Sequence, residues 1–240
     1  MEALAKETVS NELSQAKSII NHFIRSCSHN LKNPLSSIEG LVMIAEYCTN
    51  PTEVNQCLQM IQQSTNNLME MIHTLEEYTI NQQRQLEYNE IEAEELVDRV
   101  LEEYAMEIDQ NKISVTTKVL QTHKWVADEY SNYVILKNLI CNAIRFANQE
   151  SSSKRINVKV GVQLDSIKVE VSDNGIGIPE KDQLNLFEPF HRASEKSKGN
   201  GLGLFLVKGL IDRLKASISV FSTENTGTLF QISMPNHLAA

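Results

Sequence analysis

Apolar residues recur through the first part of the chain at alternating steps of four and three: Leu13, Ile20, Ile24, Cys27, Leu31, Pro34, Ile38, Leu41 and Ala45, with Lys17 the one plainly polar member. A second run on the same alternation reads Val54, Leu58, Ile61, Thr65, Leu68, Ile72, Leu75 and Thr79. Such steps keep one stripe of a helix turned toward a neighbour, as in a coiled-coil seam. Between the runs, Asn50-Pro51-Thr52-Glu53 reads as an N-cap, a proline in the first helical position and a capping-box glutamate. The pattern predicts two long antiparallel helices. A lone hairpin leaves half of each stripe in water, forgoing about 1.5–3 kcal/mol for each exposed Leu or Ile. Pairing two hairpins into a four-helix bundle removes that exposure, so a homodimer is expected.

From about residue 88 the period changes. Ile156, Val158, Val160 and Val162 alternate; Ile167, Val169 and Val171 follow the turn Leu164-Asp165-Ser166; Phe230, Ile232 and Met234 follow Asn225-Thr226-Gly227. Helical patterns flank them over about 92–110, 130–148 and 201–214. The expectation is an α+β chain: a helical hairpin over residues 1–86, then a two-layer α/β sandwich over 87–240 with helices on one face of a mixed sheet. Residues 80–90, rich in Gln, Asn and Glu, are the expected hinge.

Composition narrows the function. A chain of 240 residues with 41% hydrophobic content supports two modest cores. No apolar run approaches the roughly 18 residues that span a bilayer, and the N-terminus lacks a signal-peptide layout, so a cytoplasmic chain without membrane contact of its own is expected. The four cysteines are isolated, and neither they nor the six histidines show ligand spacing, which predicts reduced thiols and no metal site built from protein ligands alone. A net charge of −9 argues against nucleic acid as a partner. One stretch runs the other way: over 191–215, Arg192, Lys196, Lys198, Lys208, Arg213 and Lys215 face only Glu195 and Asp212, a net +4. That island suggests an anionic small ligand.

Three further features carry chemistry. His29 lies two residues from each of the seam positions Cys27 and Leu31, about 200° around the helix, and so faces outward. Positions 22, 26, 29, 33 and 36 share that face and are His, Ser, His, Asn and Ser; Asn33 is within side-chain reach at i+4, and Pro34 removes a backbone hydrogen bond just beyond. Taken alone, these residues fit an ordinary surface histidine as well as a reactive one. Two glycine clusters, Asp173-Asn-Gly-Ile-Gly-Ile-Pro179 after a strand and Gly199-Asn-Gly-Leu-Gly-Leu204 opening a helix, let backbone N–H groups approach phosphate oxygens. Glu180 and Leu204 stand where a dinucleotide fingerprint needs its last glycine, and the P-loop pattern is absent. Asn138 and Asn142, at i and i+4 in an apolar helix, fit either carbonyl ligands to a hard cation such as Mg²⁺ or caps on a neighbouring loop.

In chain order, these segments resemble the transmitter core of bacterial sensor histidine kinases. Ser28-His29-Asn30-Leu31-Lys32-Asn33-Pro34-Leu35 is similar to the family's H-box, Asn138–Phe146 to its N-box and Asp173–Gly177 to its G1 box. Phe187-Glu188-Pro189-Phe190 is similar to the F-box, Gly199–Leu204 to the G2 box, and Thr226-Gly227-Thr228 to a terminal glycine motif. The resemblance covers nearly the whole chain. It implies a HisKA-type dimerisation and phosphoacceptor hairpin followed by the Bergerat-type ATP-binding fold shared with gyrase, the heat-shock 90 chaperones and mismatch-repair proteins.

The resemblance implies roles residue by residue. His29 is the phosphoacceptor; Asp173 accepts a hydrogen bond from the adenine amino group, with Thr228 nearby and Phe146 bordering the base. Asn138 and Asn142 hold Mg²⁺, and Arg145 replaces the usual lysine facing the phosphates. Gly175 and Gly177 belong to the first nucleotide loop, and Gly199, Gly201, Leu202 and Gly203 to the second. Residues from about 181 to 200 form a mobile lid docked by Phe187 and Phe190, with Arg192 reaching the γ-phosphate. The implied reaction moves a phosphoryl group from Mg·ATP to His29, then to an aspartate on the receiver domain of a response regulator, and the chain is either whole or the cytoplasmic part of a longer sensor. Hydrolytic relatives carry glutamate where this chain has Asn138, so a water-activating base is missing and a kinase is favoured over an ATPase.

One residue departs from the pattern. Most members carry an acid after the phosphoacceptor, which can accept from Nδ1–H and leave Nε2 as the nucleophile. Asn30 supplies no charge, so slow autophosphorylation is expected. Asn33 stands where the family orients water to dephosphorylate the regulator. A phosphatase-biased sensor and a kinase-dead ATP-binding dimeric scaffold are therefore the alternative readings.

Overall fold

The computed structural model describes residues 2–192 and 199–238, with side chains from Phe23 onward. The chain divides into two compact units, Met1–His73 and Thr74–Ala240.

The first unit contains helix α1 (Glu2–Tyr47) and the greater part of α2 (Pro51–Gln83). Helix α1 continues through Pro34. The N-cap of α2 forms as its sequence dictates: Asn50 Oδ1 accepts from the Thr52 N–H at 3.0 Å and the Asn50 carbonyl from the Val54 N–H at 3.1 Å. Glu53 bonds the Asn50 side-chain amide at 3.4 Å, so the capping box closes side chain to side chain. Leu41, Cys57 and Met71 are buried, and Val54, Ile61, Ser64 and Leu68 half-buried. The buried stripe of α2 thus steps through 54, 57, 61, 64, 68 and 71, while the seam positions Leu58 and Ile72 remain exposed, as do Ile24, Leu35 and Val42 on α1. One hairpin covers one flank of each seam, because two helices supply only one mutual contact line. Leu13, Lys17, Ile20 and His22 lie outside the described side chains.

The second unit begins with residues 74–83 of α2 and continues through β1 (Tyr88–Ile91), α3 (Ala93–Glu103), α4 (Ala105–Gln110), β2 (Ile113–Gln121), β3 (Trp125–Asp128) and α5 (Glu129–Arg145). After these come β4 (Lys154–Val162), β5 (Ser166–Asp173), α6 (Glu180–Gln183), α7 (Gly203–Arg213), β6 (Ser217–Thr223) and β7 (Gly227–Pro235). Five strands form one sheet in the order β2-β4-β5-β7-β6, antiparallel except for the parallel β2–β4 edge; β1 and β3 pair separately.

Alternation along each strand sends one set of side chains into the core and the other outward. In register, Val169, Ile232 and Ile218 form one inward row across β5, β7 and β6, and Val171, Phe230 and Val220 the next. Leu96, Val97 and Val100 of α3, Leu136, Leu139 and Ile140 of α5, and Leu206, Val207 and Leu210 of α7 cover that face. The helical pattern expected over 92–110 breaks at Tyr104 (φ −105°, ψ 12°) into α3 and α4.

The tail of α2 belongs to this unit. Tyr78 lies on Phe205 of α7 with ring centroids 4.8 Å apart, and Thr74 Oγ1 accepts from Asn200 Nδ2 at 3.1 Å. Asp128, 1% exposed, caps α5 by accepting from the Ser131 N–H at 2.8 Å; it also accepts from the Glu87 N–H at 2.7 Å and pairs with Arg84. Burial pushes the Asp128 carboxyl up, but Arg84, Ser131 and the Glu87 N–H together hold it below the ordinary carboxylate value. Arg213 donates to the Arg84 carbonyl. The segment expected as a hinge is therefore tied down at Arg84 and Glu87 and enters β1 directly afterwards.

Candidate functional site

The inward rows of the sheet end in a polar one. Asp173, Thr228 and Ser222 stand in register on β5, β7 and β6, one step beyond Val171, Phe230 and Val220 and on the same face. Asp173 Oδ1 accepts from the Gly175 N–H at 2.8 Å, and the Thr228 N–H also bonds the carboxylate. Burial nevertheless dominates and pushes the Asp173 carboxyl up to about 6, against the lowering effect of those two N–H groups.

The loop after Asp173 is pressed against the end of α5. Ile176 donates to the Phe146 carbonyl at 3.1 Å, and a Cβ placed on Gly175 would lie 2.4 Å from that oxygen. Gly177, at φ +65°, would bring a Cβ within 2.1 Å of the Thr223 carbonyl oxygen. Both positions require glycine, one for space and the other for space and conformation.

The second glycine loop lies along the same helix. A Cβ on Gly203 would fall 2.8 Å from Asn138 Oδ1, and one on Gly199 2.2 Å from Arg145 Nη1. Asn138 Nδ2 donates to the Val134 carbonyl at 2.8 Å, which turns the amide oxygen toward the loop. Asn138 and Asn142, one helical turn apart, are both half-buried. A pinned amide carbonyl beside a glycine loop fits a hard cation shared with phosphate oxygens. Among the described residues, no cluster of three His, Cys, Asp or Glu side chains has metal-binding geometry.

The structure thus brings together Asn138, Asn142, Arg145, Phe146, Asp173, Gly175, Gly177, Gly199, Gly203 and Thr228. Gly201, at φ +70°, joins through the F-box, its carbonyl accepting from the Phe190 N–H at 2.8 Å. Leu202 differs in kind: its side chain is buried, and its N–H is bound by Asn200 Oδ1 at 3.0 Å, so it anchors the loop from below. Arg192 is exposed, and Lys196 and Lys198, with the part of the expected lid at 193–198, lie outside the described residues. Sequence reasoning missed Ser222 and Asn200. The alternation Ile218, Val220, Ser222 was the available signal for the first; Asn200 carried none beyond its place between two glycines.

On the hairpin, His29 and Asn33 are both exposed, one turn apart. Asn30 is half-buried, and its amide nitrogen donates to the Ser26 carbonyl at 2.8 Å. Adjacent helical side chains diverge by about 100°, so Asn30 turns back along its own helix, and no hydrogen bond joins it to His29 among the described residues.

Two family models match this chain: "Histidine kinase-, DNA gyrase B-, and HSP90-like ATPase" over residues 127–238 and "His Kinase A (phospho-acceptor) domain" over residues 7–84. The heme sensor protein HssS of Staphylococcus saprophyticus is 25% identical over 223 residues, 92% of this chain and 48% of that protein. The autoinducer 2 sensor kinase/phosphatase LuxQ of Vibrio cholerae is 27% identical over 240 residues, 95% of this chain and 27% of that one. The chain spans about half or less of the length of these two relatives. Among solved structures, histidine kinase ThkA in complex with response regulator protein TrrA shares the fold at TM-score 0.72, with 20% identity, over 93% of this chain and 64% of that one.

Proposed function

From the premise that this chain belongs to the sensor histidine kinases and is a transmitter core of that family, we propose that it transfers the γ-phosphoryl group of ATP to His29 and from there to an aspartate of a response regulator. The observation that carries this reading is the seating of Gly199 and Gly203 against Arg145 and Asn138, which aligns a glycine loop, a guanidinium and an amide carbonyl along one helix.

Each residue has a part in that reaction. Asp173, ionised, accepts from the adenine amino group; Thr228 flanks it and Phe146 borders the ring. The N–H groups of the second glycine loop face the phosphates at the start of α7, where the helix dipole favours negative charge. Arg145 offsets charge on the triphosphate, joined by Arg192 from the lid. Asn138 and Asn142 hold Mg²⁺, which supplies neutralisation of the phosphate oxygens. The Nε2 lone pair of His29 forms the new P–N bond as the bond from the γ-phosphorus to the bridging oxygen breaks and ADP leaves. Positioning and charge supply most of the acceleration, so the absence of a carboxylate at Asn138 is no handicap to transfer and disfavours hydrolysis.

The hairpin over 1–86 then serves as phosphoacceptor domain and residues 87–240 as catalytic domain. The exposed stripe of Ile24, Leu35, Val42, Leu58 and Ile72 supports a homodimer that closes a four-helix bundle. No helix among the described residues is long and apolar enough to cross a membrane; the cytoplasmic location is part of the proposal, since the reaction draws on ATP and a response regulator. The proposed partner is a response regulator, which would receive the phosphoryl group on its receiver domain; ThkA, whose fold this chain shares, was solved in complex with response regulator protein TrrA.

A second reading has its own observation. Asn30 is an amide turned away from His29, whereas Asn33 is exposed at i+4 beside it, which favours orienting water for regulator dephosphorylation over fast autophosphorylation. LuxQ is named both kinase and phosphatase.

Incubation with labelled ATP and Mg²⁺ tests both. Acid-labile label should appear on the wild type and vanish in His29→Ala; label that persists in the variant removes His29 from its role. Phosphorylated regulator should lose its label faster with wild type than with Asn33→Ala, and equal rates would exclude the phosphatase reading.

A further inference from the structure

Charge is spread unevenly over the second unit. Residues 87–112 hold ten acids against Arg99 and Lys112, a net −8, and all ten are exposed. Seven of the ten stand on α3 and α4, whose apolar sides pack into the core, so the helix-covered side of the sheet is acidic outside. The open face of the sheet has the opposite sign. Register sets Lys118 of β2 beside Lys159 of β4 in one outward row, with Glu170 of β5 next, and Leu120, Gly161 and Lys168 in the following row. Arg155 shares this face from the start of β4. Glu170 is already engaged: it accepts from Gln231 at 2.7 Å and lies 3.7 Å from Lys159. Four exposed cations thus stand against one carboxylate. A Cβ on Gly161 would meet nothing within 4 Å, so the middle of the face is uncovered.

Lysines on an edge strand commonly block pairing with another sheet, and Lys118 fits that use. Lys159 and Lys168 do not, because β4 and β5 have neighbours on both sides. The exposed large apolar residues of this face stand at its margins: Leu120 on the β2 edge, 61% exposed, Phe221 on the β6 edge, and Leu164 in the β4–β5 turn, 59% exposed. Thr122 donates to the Val162 carbonyl through both its N–H and its hydroxyl, which places Leu120 and Leu164 at one end of the sheet. Asp173 and Thr228 are at the other end. A protein interface has an apolar centre inside a polar rim; here the centre is basic and the rim apolar. That order suits a lipid surface, where ammonium groups meet headgroup phosphates and a few apolar side chains enter at headgroup depth. We propose that the open face of this sheet docks on an anionic phospholipid surface through Lys118, Lys159 and Lys168, with Leu120 and Leu164 entering the headgroup layer. Attraction on the sheet side and repulsion on the acidic helix side fix the orientation, and the glycine loops at the far end of the sheet remain open to solvent. The proposal is independent of the reaction assigned to those loops.

Co-sedimentation of the full chain with vesicles of phosphatidylcholine and phosphatidylglycerol in equal parts, against vesicles of phosphatidylcholine alone, tests the proposal. The anionic vesicles should bind at least about tenfold more tightly, and the difference should shrink as salt rises from about 0.05 to 0.5 M. Lys118→Gln with Lys168→Gln should weaken binding to the anionic vesicles by more than about tenfold, near fivefold for each lysine. Both side chains point away from the core, so the pair should fold as wild type does. Leu120→Ser with Leu164→Ser should weaken binding by about threefold to tenfold and leave its salt dependence in place. Lys112→Asn with Lys208→Gln removes the same charge from outside the face and should change binding by less than about twofold. Equal weakening by the two lysine pairs would trace binding to net charge and overturn the assignment to this face. Equal binding to both kinds of vesicle, or to neither, would overturn the anionic lipid surface. Capture by immobilised poly-glutamate without binding to vesicles would overturn it in favour of an acidic protein.

Discussion

His29 stands on an exposed helix face with no hydrogen bond to its ring among the described residues, whereas Asp173 is fixed by strand register, two N–H groups and partial burial. In the proposed reaction the histidine meets two different phosphoryl partners in turn, ATP and a regulator, and a side chain served from outside gains from exposure. The carboxylate meets one base edge in one orientation and gains from being held. The glycines repeat the contrast: Gly40 on α1 has open space where a Cβ would go, while Gly177 has the Thr223 carbonyl there. Tolerance to substitution should therefore differ sharply between the hairpin and the nucleotide loops.

The largest effect is expected at Gly177→Ala. An alanine at φ +65° with its Cβ 2.1 Å from a backbone oxygen forces the turn between β6 and β7 to move. ADP affinity should fall more than about tenfold, and a fall of less than twofold would show that the loop does not need its observed shape. Next is the pH response of Asp173. Its carboxyl is raised to about 6, so the ionised, accepting form is lost as pH falls through that value. ADP affinity should drop about tenfold from pH 7 to pH 5, with Asp173→Asn weaker at pH 7 and lacking that component; equal slopes for both proteins would sever the link.

Smaller effects belong to the hairpin. Asn30→Asp cannot donate to the Ser26 carbonyl, so the side chain is released from its helix and brings a negative charge beside His29. Labelling from ATP should quicken severalfold, and an unchanged rate would make charge at this position irrelevant. Gly40→Ala should raise hairpin stability by about 0.5–1 kcal/mol through helix propensity and leave ADP affinity unaltered; a lower melting midpoint would reveal a contact at Gly40 in the assembled dimer.

Much of this was legible because it is periodic or local. The hairpin follows from the four-and-three steps, the N-cap at Asn50 from a four-residue motif, and the glycine loops from their spacing. What was not legible depended on pairing. Ile113, Val115, Thr117 and Val119 alternate, but nothing local says that β2 lies parallel to β4 at the sheet edge. The short β1 and β3 mix polar and apolar residues, and nothing local says that they pair with each other apart from the main sheet. Seam counting put Leu58 and Ile72 in the same class as Leu68, and only packing separates the flank covered within one hairpin from the flank left exposed. Ser222 was legible only as the next inward position after Ile218 and Val220; its bonds to Gly227, Thr228 and Ile178 depend on the β6–β7 pairing and on a loop distant in sequence.

The anchoring of the α2 tail has a practical consequence for modularity. Arg84 and Glu87 compensate Asp128, and Tyr78 covers Phe205, so the ATP-binding part carries pieces of the preceding helix as part of its own fabric. A swap between relatives joined at residue 87 would inherit a buried carboxylate without its native arginine, whereas a join near Thr74 would carry both. Recombination, natural or in the laboratory, has its seam within a continuous helix, where phase must be kept as well as composition.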